Sequence, residues 1–318
     1  MTGAGAGDLA WLHEPVDDYG GSPTDTDYKG AGKDVTVDTL SIDNALSRLN
    51  DFSAEAAQYV ETTFEGALAI SGTLTTDTVW MLNHVYGSEP AQSGSGPYTY
   101  TWAPDTIRVQ SARFFIGLDY LNGFAERAVK GVAFPEFEVS NNIGETSTFS
   151  ATAFYRDEEL ATSATPGSAP TPGDPYVFHG GSFSYGADTL VKMQEATLSI
   201  NTNAHAQRGW ERKADDAVRG NIEYSVTPTK IVTETDLLTD AYGNSTAPAT
   251  SPNSLTEKDV DLNLSNGDDD LTFACSGAKI GSHDWESIGN AGEDKTEAPE
   301  LTPTQIRPEL TTDEAEAR

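Results

Sequence analysis

The fold class this sequence predicts is mainly β: two related β-sandwich or barrel units in tandem, each carrying one flanking helix. Three observations lead there. First, residues 64–87, FEGALAISGTLTTDTVWMLNHVYG, are echoed by residues 218–243, VRGNIEYSVTPTKIVTETDLLTDAYG. Gly66 matches Gly220 at an offset of 154, Tyr86-Gly87 matches Tyr242-Gly243 at 156, and Thr39-Leu40-Ser41-Ile42 recurs as Thr197-Leu198-Ser199-Ile200 at 158. Second, the opening part of each copy alternates. Phe64, Leu68 and Ile70 oppose Glu65, Ala67, Ala69 and Ser71, and Val218, Ile222, Tyr224 and Val226 oppose Arg219, Asn221, Glu223 and Ser225. A period of two with one apolar face is a half-buried antiparallel strand. Third, the period then changes to a single helical stripe, Val79, Leu82 and Tyr86 in one copy and Ile231, Leu238 and Tyr242 in the other. Thr76 and Thr227-Pro228 supply helix starts, and Gly87 and Gly243 stand where a glycine ends a helix.

A chain of 318 residues matches about two domains. Its 50 acidic against 19 basic residues give a net charge of −31. Ordered strand patterns in so acidic a chain predict a folded protein adapted to molar salt, where the Debye length shrinks to about 3 Å and self-repulsion is screened. Such a surface does not hold nucleic-acid phosphates, which are gripped by Lys and Arg. The single cysteine, Cys275 in LTFACSG, excludes an internal disulfide and reads as a small buried strand residue. The expectation for the rest is a protein made in the cytoplasm, with no signal peptide and no membrane span.

In chain order, residues 1–34 read as an N-terminal arm with one apolar island at Leu9, Trp11 and Leu12, ordering only on a partner. Residues 35–156 form the first unit: a strand near 35–42, the organising stretch, a flexible loop at 87–97, and strands at 98–102, 113–120, 129–140 and 146–155. In the last of these Thr146, Thr148, Ser150 and Thr152 line one face, a row of hydroxyls suited to a wet surface or a lumen. Residues 157–175, rich in Pro, Gly, Ser and Thr, read as a linker. The second unit spans 176–290, with strands in FHGGSFSYG, LVKMQEATLSINTN, DVDLNL and LTFACSGAKI. The charged residues 291–318 read as a flexible tail.

Sites of chemistry are not evident. His13, His84, His179, His205 and His283 show no metal-ligand spacing, and His84 is expected at a helix surface or cap. Asp268-Asp269-Asp270 lacks the alternating ligands of a calcium loop and reads as a solvated hairpin turn. No nucleophile elbow, phosphate loop or dinucleotide fingerprint occurs. No catalytic, cofactor-binding or metal-binding residue is therefore assigned, and the chain reads as a building block whose function is its contacts. Leu9, Trp11, Leu12, Tyr86, Gly87, Tyr242 and Gly243 are the candidates for assembly contacts.

The order strand, helix ending in Tyr-Gly, loop, aromatic strand and long hairpin, RFFIGLDY…AERAVKGVAFPEFEVSN…TSTFSATAFYRD, followed by MQEATLSINTNAHAQRGWE and RGNIEYSVTP, resembles the tail tube proteins of long-tailed viruses, over residues 35–280. With the acidity, it points to a tailed virus of a halophilic archaeon. The resemblance implies subunits whose strands join those of neighbours into a closed barrel around a lumen, in rings that stack into a tube for double-stranded DNA ejection. It implies tape measure, tail terminator and baseplate proteins as partners, DNA passing without specific binding, and location in the virion tail. Two units per chain lead to a homotrimeric ring, with a homohexameric ring as the alternative. A halophilic surface-layer β-sandwich is a rival reading. So is a carbohydrate-binding module, for which Trp102, Trp210 and Trp285 would be stacking platforms rather than core or interface anchors.

Overall fold

The computed structural model describes residues 8–24, 26–50, 56–105, 109–120, 122–168, 170–289 and 292–313. The first half of the chain contains β1 (Leu9–His13), β2 (Lys29–Gly30), β3 (Lys33–Asp43), a hairpin of β4 (Leu46–Asn50) and β5 (Ala56–Glu61), and β6 (Glu65–Thr73). The short helices α1 (Thr76–Val79) and α2 (Leu82–Tyr86) follow, then β7 (Ala91–Ser93), β8 (Tyr98–Thr101), β9 (Ala112–Tyr120), β10 (Gly123–Asn142), β11 (Thr148–Tyr155) and β12 (Asp157–Ala161). The second half contains β13 (Val177–Tyr185), β14 (Asp188–Thr189), β15 (Met193–Asn201), a hairpin of β16 (His205–Gln207) and β17 (Asp216–Val218), and β18 (Glu223–Ile231). After α3 (Asp236–Tyr242) come β19 (Lys258–Ser265), β20 (Asp270–Glu286), β21 (Thr296–Thr302) and β22 (Gln305–Thr312).

One antiparallel sheet crosses the molecule in the order β3-β6-β11-β10-β15-β18-β21-β20. Two further sheets flank it, β2-β1-β9-β10-β12 and β14-β13-β19-β20-β22-β8-β7. The long strands β10 and β20 each belong to a flanking sheet at their N-terminal end and to the central sheet at their C-terminal end. Each changes sheet at a bulge, between Val129 and Val132 in β10 against β9 and between Cys275 and Ala278 in β20 against β19. A glycine with positive φ sits in each bulge, Gly131 at +66° and Gly277 at +63°. A Cβ on Gly131 would lie 2.8 Å from the Arg156 side chain, so both backbone angle and space call for glycine there.

The pairing scheme occurs twice. Leu40 opposes Leu68 and Leu198 opposes Val226, so β3 and β6 recur as β15 and β18 with both partners shifted by 158 residues. Thr148 opposes Thr73 and Thr296 opposes Ile231, so β11 recurs as β21. Among the described residues the full strand pairs do not return to their starting strand, and the central sheet is open. Two isolated bridges, Thr75 to Pro175 and Thr146 to Val177, tie the ends of β6 and β11 to the start of β13 in a flanking sheet.

A single large core lies between the central sheet and the flanking sheets, with Phe137, Val139, Leu198, Ile200, Phe273 and Leu301 all almost without exposure. Gly87 (φ +75°) and Gly243 (φ +62°) close α2 and α3 in the left-handed conformation, as the sequence predicts.

Other expectations are corrected. The expected first helix is two short pieces broken at Trp80-Met81, where Trp80 turns into contact with Tyr100 and Trp102. Thr227-Pro228 is no helix start, because both residues lie inside β18, whose pairing with β15 overrides the local signal, and Ile231 is that strand's last residue. Gly66 pairs in the frame of Tyr224 rather than Gly220, because the strand offset is 158. Residues 8–34 are not a loose arm: Trp11 is fully buried and β1 pairs with both β2 and β9. Within 157–175, β12 pairs with β10. The described part of the expected tail, residues 292–313, holds β21 and β22, whose Leu301, Ile306 and Leu310 are completely buried; charged residues alternate with them on the outer side, which hides the strand period in composition.

Candidate assembly surfaces

Each strand of the central sheet turns one set of side chains into the core, and the other set forms a second face, open except at the Ala133–Phe154 end that the β16–β17 hairpin covers. That face carries Glu65, Ala67, Ala69 and Ser71 from β6, Ser150 and Thr152 from β11, Glu136, Glu138 and Ser140 from β10, Thr197 and Ser199 from β15, Ser225 and Thr227 from β18, and Glu300 from β21. Cross-strand hydrogen bonds knit it: Ser71 Oγ donates to Asp38 at 2.7 Å, Ser282 Oγ donates to Glu300 at 3.1 Å, and Ser140 and Thr197 hydroxyls meet at 3.2 Å. None of these residues is itself basic, and at one end of the face Arg208 of the β16–β17 hairpin pairs with Glu65 at 3.1 Å. The hydroxyl row expected at 146–152 falls here from Thr148 onward.

The sheet has two unpartnered edges. Among the described residues no strand pairs with the outer side of β3 or with the outer side of β20 after Lys279. Apolar groups are exposed along both: Ile42 is 48% exposed on β3, and Trp285 is 45% exposed on β20 with Ile288 beyond it at 68%. Sequence reading did not single out these edges. A signal was present in the chain, since Ile42 lies in the same Thr-Leu-Ser-Ile run as Ile200, which is buried inside the sheet.

Behind the β20 edge lies a buried ionic cluster. Glu297 Oε2 meets His283 Nε2 at 3.0 Å and Glu297 Oε1 lies 3.5 Å from Lys230 Nζ, with all three side chains nearly inaccessible. By pairing, His283 and Glu297 stand where Phe137 and Phe149 stack in the first half. A second polar cluster supports β1. The Trp11 indole donates to the Gly30 carbonyl at 2.9 Å, and His84 Nδ1 lies 2.9 Å from the Gln110 carbonyl, an acceptor, so that nitrogen carries the proton. His84 Nε2 then accepts from His13 Nδ1 at 3.1 Å. Burial holds His84 down at about 4, and burial together with His84 and Lys29 holds His13 well below the usual imidazole range. Glu14 receives Ser111, Arg113 and Gly131 donors, yet its burial still raises it.

The expected assembly residues are placed otherwise than the sequence suggests. Trp11 and Leu12 are buried within the chain and Leu9 packs against the core. Tyr86 is buried with its hydroxyl donating to the Ile306 carbonyl, while Tyr242 is half-buried. His84, expected at a surface or cap, is buried because α2 packs against β10. Trp102 is a core residue donating to Asn83 at 2.7 Å, and Trp210 is fully exposed at the β16–β17 turn. Asp268-Asp269-Asp270 make the β19–β20 turn, where Asn266 Oδ1 accepts from the Asp268 and Asp269 amides. Cys275 is buried and burial lifts its thiol to about 12. Among the described residues no group of three or more His, Cys, Asp or Glu is arranged to hold a metal ion.

An all-antiparallel sheet with a polar free face and two open, partly apolar edges defines a β-structural protein built around its sheet rather than around a pocket. The family model of the phage tail tube protein matches residues 85–311, and the chain belongs to that family. No curated protein matches the chain. The matched span begins within α2 and runs into β22, so it includes the segment the sequence suggested was a tail. The protein is a structural component of the virion tail.

Proposed function

We propose that the chain is two tandem tube domains, and that three copies close their central sheets edge to edge into a ring around a lumen for double-stranded DNA. One observation carries this reading. The four-strand order β3-β6-β11-β10 recurs as β15-β18-β21-β20, and the two sets are already joined inside the chain by β10 and β15. That internal joint is a template for a joint between chains, with β20 in the place of β10 and β3 of the next copy in the place of β15.

The template fixes a register. Inside the chain Val139 opposes Leu198, Phe137 opposes Ile200, and Glu138 opposes Ser199. Transferred by the offsets of the strand pairs, Trp285 opposes Leu40, His283 opposes Ile42, and Asp284 opposes Ser41. Trp285 then covers Leu40 and reaches Ile42 on the diagonal, and the carboxylates of Asp284 and Glu286 meet the hydroxyls of Ser41 and Thr39 rather than another acid. Closure also removes two open strand edges, a standing aggregation hazard for a protein of this kind.

The polar free face becomes the lumen wall. A wall of hydroxyls and carboxylates, with Arg208 tied up by Glu65 at its end, offers DNA phosphates little counterion-release grip, so DNA slides past. The net charge of −31 suits a halophilic archaeal host, and at molar salt it would not oppose ring closure. Rings stacking on tape measure, terminator and baseplate proteins complete the tail. Negative-stain microscopy and native mass spectrometry of the purified chain in molar salt test this: rings of three copies with a central hole are expected, and monomers at all concentrations would overturn it.

A further inference from the structure

We infer that the β4–β5 hairpin is a clasp that lies across the second half of the neighbouring copy within the same ring. The inference rests on the ring reading above. Its starting point is that the two hairpins are the same device in two states. Ser47 opposes Val60 and Arg48 opposes Tyr59, while His205 opposes Val218 and Ala206 opposes Ala217. Both strands of the second hairpin are thus shifted by 158 residues from the first, the offset that also relates β3 to β15.

The second hairpin is seated within the chain. Ala204, Ala206, Ala214 and Ala217 pack on Tyr19, Val109 and Ala133 of the first half. Its turn is fastened by ion pairs, Arg212 to Glu61 at 2.6 Å, Arg208 to Glu65 at 3.1 Å and Lys213 to Asp157 at 2.6 Å, and by the Phe64 amide donating to the Arg212 carbonyl at 2.9 Å. It therefore leans over β10 and β11, across the β10·β15 joint, to the base of the first hairpin.

The first hairpin has the matching face, and among its described residues only the base, through Glu61 and Arg212, is fastened to its own chain while Leu46 and Tyr59 stay open. The positions of Ala204, Ala206 and Ala217 are held by Leu46, Arg48 and Tyr59, and Leu46 and Tyr59 are 60% and 59% exposed. The occupant of that face is a second copy of this chain. If β3 joins β20 of the neighbour as β15 joins β10, the hairpin on β3 leans over that neighbour's second half as the hairpin on β15 leans over the first. Its seat falls near Leu255 and Lys279, the residues that follow Val109 and Ala133 by 146, the offset of β10 to β20. Larger apolar groups on the first hairpin make this clasp suited to a joint between molecules, which has no covalent link to help it.

Hydrogen exchange of the wild-type protein tests the clasp, comparing monomer, isolated rings and stacked tubes. Amides of residues 46–50 and 58–61 are expected to exchange at least tenfold more slowly in isolated rings than in monomer. Labelling of a Tyr59→Cys variant with maleimide gives the same readout at a side chain, since Cys275 is buried. Rings in which the hairpin exchanges as in monomer overturn the clasp and leave the ring reading standing. Protection that appears only in stacked tubes also overturns it, by assigning the hairpin to the next ring. Absence of rings under every condition overturns the ring reading and the clasp with it.

Discussion

Placing an aspartate at Ile42 is the sharpest perturbation of the proposed joint. Ile42 is 48% exposed in the single chain, so closing the joint buries about half of its side chain. Full burial of an isoleucine is worth about 1.5–3 kcal/mol, which makes the lost apolar contribution about 1 kcal/mol per joint. Desolvating a carboxylate beside the apolar edge, with the facing His283 already bonded to Glu297, adds about 1–3 kcal/mol. Together each joint weakens by about 3 kcal/mol, roughly a hundredfold in its dissociation constant. Sedimentation velocity in molar salt reads the result as a shift of ring formation to at least a hundredfold higher concentration. Monomer stability should change little, because the side chain already faces water. Leu160→Asp is the control: it is 77% exposed on β12, at a flanking-sheet edge outside the joint, and should assemble as wild type. Rings of Ile42→Asp at wild-type concentrations would refute the register and the joint.

Three further outcomes follow from the same geometry. Glu297→Ala removes the carboxylate between Lys230 and His283 and leaves the buried ammonium with only the more exposed Glu234 at 3.4 Å, so chemical denaturation should show a loss of about 3 kcal/mol; the combined Lys230→Met, Glu297→Leu and His283→Phe variant should recover most of it. His84 binds its proton at about 4 when folded and near 6.5 when unfolded, so the unfolded chain holds more protons between those values. Its contribution is whole above pH about 6.5 and falls by about 3 kcal/mol as pH drops toward 4, and a His84→Gln variant should show a flatter stability profile over that window. Lysines introduced together at Thr152 and Ser225 on the free face should give rings that retain double-stranded DNA with an affinity falling steeply with salt, measured by filter binding; rings that pass DNA as freely as wild type would remove the electrostatic account of the wall.

What the sequence disclosed follows from which signals are local. Alternation in 64–71 and 146–155 and the two Gly-terminated helices are short-range patterns, and they describe β6, β11 and the C-terminal ends of α2 and α3, though not where those helices begin. Repeat echoes at Thr-Leu-Ser-Ile pointed to the twofold pairing scheme even though Gly66 and Gly220 were aligned four residues out of frame. Long-range pairing was not legible. Trp11 and Leu12 look like a sticky arm until β9 is seen to receive them, and residues 296–312 look like a tether because Glu and Thr alternate with Leu301, Ile306 and Leu310 on strands that β18, β20 and β8 make sense of. The open edges were hidden for the same reason: Ile42 and Ile200 sit in nearly identical runs, and only the structure distinguishes the one with a neighbouring strand from the one without.

The account stands on the closure of one eight-strand sheet per chain into a shared barrel, and a double cysteine variant measures that directly. Leu40→Cys combined with Trp285→Cys places thiols opposite each other across the joint and nowhere near each other within a chain. Oxidation in molar salt followed by denaturing electrophoresis should give a ladder ending at a covalent circle of three chains. Disulfide-free monomers from assembled rings, or a ladder that runs on to six, would contradict it.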